Sequence, residues 1–142
     1  MCLVLVVLIM GPTVRAADLD LRAYQGKVVY LDFWASWCAP CKQSFPWMQR
    51  MSETYGGQGF AVIAVNVEIN RADADKFLER VHPTFDVRFD PKGELPEIYK
   101  VQAMPSSVLI DRHGTKRFRH EGFRPDEIAV YEAQVRELLA EK

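Results

Sequence analysis

Cysteine is scarce in this chain, with three residues among 142, at positions 2, 38 and 41. A small domain held together by disulfides carries more of them, and the two that lie close together close too short a loop to constrain the unfolded chain. Histidine is equally sparse. His82, His113 and His120 stand in no paired ligand spacing, so a zinc site built on the cysteine pair lacks two ligands. Covalent haem attachment fails as well, because Lys42 occupies the position where Cys-x-x-Cys-His requires histidine. Neither sign of charge dominates: 18 basic residues stand against 19 acidic, without the basic surplus of a nucleic-acid binder. The apolar run near the N-terminus, Leu3 to Met10, has eight residues where a bilayer span needs about 20. There is no internal repeat, linker or low-complexity tract.

That apolar run is followed by Gly11-Pro12 and by Val14-Arg15-Ala16-Ala17, with compact residues three and one before a cut after Ala16. Residues 1–17 therefore read as a secretory signal, and 18–142 as one mature domain in a periplasmic or otherwise extracytoplasmic compartment. The basic start of such a signal is missing, which leaves a start further upstream or an atypical signal, and a buried first strand of a cytosolic domain is the alternative. Cys2 lacks the apolar residues that precede a lipoprotein anchor.

Lys27 to Trp34 is a nearly continuous apolar run with β-branched Val28 and Val29, the pattern of a strand covered on both faces. A helix follows from Cys38 to about Tyr55, with Phe45, Met48, Ser52 and Tyr55 at helical spacing, Pro46 as a kink and Gly56-Gly57 as the stop. Phe60 to Val67 is a second buried strand, which completes a βαβ unit. Ala72 to Val81 predicts a helix turning Phe77, Leu78 and Val81 inward, followed by a short strand at 85–89 and a turn at Asp90-Pro91-Lys92-Gly93. A short helical stretch over 94–101, a strand over 106–111, a hairpin at His113-Gly114 into an edge strand over 116–121, and a final helix opened by Pro125 and Asp126 complete an α/β domain.

Chemistry concentrates at Trp37-Cys38-Ala39-Pro40-Cys41, where the first strand hands over to a helix. A thiol at a helix start meets unpaired N–H groups and the positive end of the dipole, which stabilise its thiolate. Cys38, at that start, is the expected attacking thiol, and Cys41, one turn further in, the resolving one. Pro40 costs no hydrogen bond in the first turn and stiffens the loop. Asp32 is the second anomaly, a carboxylate inside an apolar strand six residues before Cys38. It is either a satisfied structural group or the acceptor of the Cys41 proton. Trp34 and Trp37 read as packing residues, Trp37 the more exposed; Lys42 reads as a solvated helix lysine near the thiolate, and the three histidines as loop or surface residues. Met104-Pro105 carries no redox signal of its own, since only about 5% of X-Pro bonds are cis.

The segment Leu31-Asp32-Phe33-Trp34-Ala35-Ser36-Trp37-Cys38-Ala39-Pro40-Cys41-Lys42 resembles the active-site segment of thioredoxin-like proteins. Together with Ala64-Val65-Asn66-Val67 and the stretch Tyr99 to Asp111 with His113-Gly114, the chain is similar to the TlpA/ResA branch of secreted bacterial oxidoreductases. The resemblance implies a thioredoxin fold, a central mixed β-sheet flanked by helices, with that branch's α/β insertion between about Asn70 and Gly93. It implies that Pro105 is a cis-proline facing the dithiol, that Asp32 is the buried acid serving as general base, and that Pro46 is the family's helix kink. Ala39-Pro40 replaces the commoner Gly-Pro, and Glu68 falls one position early relative to a glutamate of cytochrome-maturing relatives. The activity implied is thiol–disulfide exchange in the reducing direction. It acts on a disulfide-bearing protein substrate, is recycled by a membrane thiol donor, uses no organic cofactor or metal, and is carried by a monomer. A dedicated cytochrome c maturation or copper-handling chaperone and a disulfide-forming oxidant are the alternatives.

Overall fold

The computed structural model describes residues 19–142, so the expected signal segment, 1–17, lies outside the described residues. Strand β1, Val28–Trp34, is buried at every position. A strand without a polar face must be covered on both sides and flanked at both edges, which places it at the centre of the sheet. Its neighbours are β2, Phe60–Asn66, parallel to it, and β4, Ser106–Ile110, antiparallel; β3, Asp86–Phe89, lies parallel outside β2, and β5, Lys116–Glu121, antiparallel outside β4. The result is a mixed five-stranded sheet of order β3-β2-β1-β4-β5. Helix α1, Ala39–Tyr55, carries the β1-to-β2 crossover; α2, Arg71–Val81, leads to β3, and α3, Glu94–Ile98, precedes β4, while α4, Ile128–Ala140, closes the fold. This is the thioredoxin-like arrangement with its added α2–β3 unit.

Alternation along β1 divides the core between the two sheet faces. Val28, Tyr30 and Trp34 pack with Phe45, Trp47, Met48 and Met51 of α1, Phe77 of α2 and Tyr131, Val135 and Leu138 of α4. Val29, Leu31 and Phe33 pack with Ile63, Val65 and Tyr99 on the other face. Trp34, Phe45 and Phe77 form a triangle with ring centroids 4.8 to 5.5 Å apart, and Trp47 meets Tyr30 edge-on at 5.1 Å. These contacts fix the α1 face directly behind the cysteine pair.

Several elements depart from the sequence expectation. α1 itself stops as expected, ending at Tyr55 with Gly56 as its C-cap, and residues 56–58 add a short 3-10 turn that ends at Gly59. Gly59 has φ +89°, and a Cβ there would lie 2.8 Å from Nη1 of Arg112. That guanidinium donates to the carbonyls of Gly26, Gln58 and Leu139 and ties the turn before β1, the turn before β2 and the end of α4 together at this end of the sheet. In α2, Ala74 and Phe77 are buried, Leu78 is half-buried and Val81 is exposed, because the helix ends there as His82 turns left-handed at φ 44°. α3 ends at Ile98 rather than 101, whereas Pro46 lies inside α1, exposed, at the place expected for it.

Candidate active site

Cys38 is the N-cap of α1, in extended backbone, and Cys41 lies in the first turn. The backbone N–H of Cys41 donates to Cys38 Sγ at 3.3 Å, and that of Lys42 to the Cys38 carbonyl at 3.2 Å. The side chain that caps the helix is therefore sulfur, placed where serine or aspartate oxygen commonly sits, and a thiolate there receives the orphan donors of the first turn. The two cysteines are joined as a disulfide with Cα atoms 5.3 Å apart. Cys38 keeps 5% of its surface and Cys41 none, the expected order, although both are more covered than a solvent-facing thiol. Ala39, Pro40 and Lys42 are exposed around them.

Strand β4 runs antiparallel to β1, so its first residues lie level with the last residues of β1; Ser106 pairs with Phe33. That register brings Met104-Pro105, whose peptide bond is cis, to the end of the sheet from which the cysteine loop departs. Pro105 is buried, and Met104 packs on the cluster that contains Cys38 and Cys41. Trp34 is fully buried whereas Trp37 stands 70% exposed immediately before Cys38, as expected. Asp32 lies two residues before Trp34 on the α1 face of the same strand, 1% exposed, and its Oδ2 has no hydrogen-bond partner among the described residues. Burial alone pushes its carboxyl well above the ordinary carboxylate range.

Glu68 has a structural role that its sequence offset conceals. Its carboxylate accepts from the backbone N–H of Ser36 at 2.8 Å, the Ser36 hydroxyl at 2.6 Å and the Asn66 amide at 2.8 Å. In return, the Glu68 N–H donates to Asn66 Oδ1 at 3.0 Å. The loop leaving β2 is thus tied to the loop leaving β1, one residue before Trp37. We expect Glu68→Ala to cost about 1 to 3 kcal/mol in urea unfolding, because it strands the buried Asn66 amide and the Ser36 N–H. An unchanged midpoint would show that the clamp contributes nothing.

His120 also departs from expectation, being half-buried and packed 4.5 Å from the ring of Tyr131. Burial lowers its tendency to take a proton. The signal available in sequence is its position inside an alternating edge strand, on the inward phase with Phe118. His82 and His113 are exposed, as expected. No group of three or more His, Cys, Asp or Glu side chains among the described residues is arranged to hold a metal ion, and no described helix is long and apolar enough to cross a membrane. A hollow lined by Tyr24, Ile110 and Arg112 lies at the opposite end of β1 and includes none of the cysteine-loop residues.

This constellation has close counterparts. The Redoxin family model matches residues 12–135. The thiol-disulfide oxidoreductase ResA of Geobacillus kaustophilus is 37% identical over 94 residues, covering 66% of this chain and 54% of the relative, and ResA of Bacillus subtilis is 32% identical over 96 residues, covering 68% and 54%. The chain thus spans about half the length of the curated relatives it matches. Among solved structures, the Chlorobium tepidum chain assigned as the thiol:disulfide interchange protein DsbE superposes with a TM-score of 0.82 at 51% identity, covering 84% of this chain and 85% of that one. StoA from Bacillus subtilis follows at 0.66 and 28%, covering 78% and 84%. With the cysteine pair capping α1 and the family model matched across it, the chain is similar to the ResA thiol-disulfide oxidoreductases and belongs to the Redoxin family.

Proposed function

We propose that this protein is an extracytoplasmic thiol–disulfide oxidoreductase that reduces disulfides in protein clients. The observation that carries the reading is the Cys38–Cys41 pair at the N-cap of α1, at the end of the strand that carries buried Asp32, whose Oδ2 has no hydrogen-bond partner among the described residues. Cys38 thiolate attacks a client sulfur, forming a mixed disulfide and expelling one client thiolate. Cys41 then attacks Cys38 Sγ, with Asp32 taking the Cys41 proton, and the second client thiolate leaves as the Cys38–Cys41 bond closes. Two electrons pass to the client disulfide, and a thiol donor at the membrane returns them. The cysteines are themselves the redox group, so the step calls for no organic cofactor. Met104-Pro105 offers backbone for the client to lie against, and exposed Trp37 an apolar contact beside the sulfurs. A monomer suffices, because all these residues come from one chain. The apolar run at 3–10 supports export.

Glutathione redox titration tests the direction. Thioredoxin lies near about −270 mV and a strong periplasmic oxidant near about −120 mV. We expect a midpoint on the thioredoxin side together with reduction of insulin disulfides. A midpoint near the oxidant end, with oxidation of a reduced client, would overturn the reducing assignment and favour disulfide formation.

A further inference from the structure

Asp32, Ser107 and His120 form a straight row across three strands. Asp32 of β1 pairs directly with Ser107 of β4, and Ser107 directly with His120 of β5. Directly opposed residues project from the same sheet face with Cβ atoms about 5 Å apart, so the row lies on the face covered by α1 and α4. Its first two members are buried; the third, on the edge strand, is half-exposed. The Ser107 hydroxyl lies 3.2 Å from His120 Nδ1, and His120 Nε2 lies 2.6 Å from Gln134 Oε1 on α4. An amide oxygen only accepts, so Nε2 carries the hydrogen, Nδ1 is the free lone pair, and the Ser107 hydroxyl donates to it. The Tyr30 hydroxyl is the other hydrogen-bond neighbour of Ser107, so the serine oxygen keeps one lone pair toward Asp32, whose Oδ2 makes no hydrogen bond among the described residues and would turn onto Ser107 when protonated.

We propose that Ser107 and His120 are a proton route between Asp32 and solvent, an inference that rests on Asp32 being the base for Cys41. A general base sealed in a core serves once unless its proton can leave. When Cys41 closes the disulfide its proton resides on Asp32. Asp32 passes a proton to Ser107 Oγ as the serine hydroxyl proton moves to His120 Nδ1, and the imidazolium then releases a proton to water at the sheet edge; one proton enters the row and one leaves. Ser107 and His120 act through Asp32, as positioning residues. The ionisable groups facing the row are Tyr30 on β1, Cys41 on α1, Tyr131 on α4, and Glu127, which accepts from the Tyr131 hydroxyl at 2.9 Å. Tyr30, fully covered and pushed well above its ordinary range by burial, keeps its proton and hydrogen-bonds Ser107, so it orients the serine and is not an end point for the proton.

The test separates sulfur chemistry from proton release. Reduced protein is mixed with an aromatic disulfide whose thiolates take no proton at pH 7. Tryptophan fluorescence then follows disulfide closure, and a pH-indicator dye follows protons reaching weakly buffered solvent. In the native chain the two traces should coincide. In Ser107→Ala and His120→Gln the dye trace should lag closure by about tenfold, the scale on which a missing proton-transfer partner is felt. Ser107→Thr should restore coincidence, and added imidazole should restore it in His120→Ala. Coincident traces in Ser107→Ala and His120→Gln, or a lag that neither threonine nor imidazole relieves, would overturn the route. Asp32→Asn is the separate control: slowed closure there with no lag in the other variants retains the base and discards the route, whereas native closure in Asp32→Asn removes the base itself.

Discussion

Cys41→Ser halts the reaction at a covalent adduct between Cys38 and the client, and turnover falls by about a thousandfold or more. The magnitude follows from geometry. The Cys41 backbone N–H reaches Cys38 Sγ and the Cα atoms are 5.3 Å apart, so resolution is intramolecular. Well-oriented intramolecular reactions reach effective concentrations of about 10⁵ M or higher, while thiols in an assay are present at about millimolar levels, so losing Cys41 exchanges the first for the second. Cys38→Ser should form no adduct, because the remaining sulfur is fully covered and lies inside the helix rather than at its cap. Both variants are best made with Cys2 replaced by serine, and non-reducing mass spectrometry reads the adduct. An adduct on Cys41 in the Cys38→Ser variant would reverse the two roles. The same trap separates clients: several captured proteins fit a general reductase, and a single one fits a dedicated cytochrome or copper factor.

Local pattern makes the dithiol and its scaffold legible, and long-range register hides the rest. The apolar runs at 27–34 and 60–67 predict parallel strands covered on both faces because such burial leaves no room for polar residues, and the strands form over 28–34 and 60–66; Asp32 stands out within the first for that reason. The cysteine pair announces itself through its spacing at a strand-to-helix junction. The row Asp32–Ser107–His120 is invisible in sequence, since it exists only once β4 and β5 pair in one register over residues 75 and 13 positions apart, and a slip of one would turn Ser107 to the other face. Glu68 is conspicuous in sequence but its role is not, for a related reason: its offset along the chain says nothing of how the loop after β2 folds back on Ser36. Val81 carries the right helical phase yet is exposed, because periodicity cannot tell that the helix ends on that residue.

Asp32→Asn should make the oxidised protein more stable at pH 8 and leave it nearly unchanged at pH 4. The carboxyl's ordinary value is 3.8, and burial raises it in the folded chain. Between those two values the unfolded chain has lost the proton while the folded chain keeps it, so stability is full below about pH 3.8 and declines as pH rises toward the folded value, beyond which no more is lost. Each pH unit in that window costs about 1.4 kcal/mol. Asparagine is close in shape to the protonated acid and does not titrate, so the difference between the two proteins should open with that slope. Using the disulfide form removes Cys38 and Cys41 from the titration, and other groups cancel in the comparison. Urea midpoints taken from pH 4 to 8 give the measurement. Parallel curves would mean that the carboxylate ionises in the fold as it does in water, which an oxygen sealed in the core without a partner does not permit. In the proposed mechanism the stability forgone is also what would ready Asp32 for proton transfer, since an acid held above its ordinary range is a stronger acceptor for the Cys41 proton than a surface aspartate.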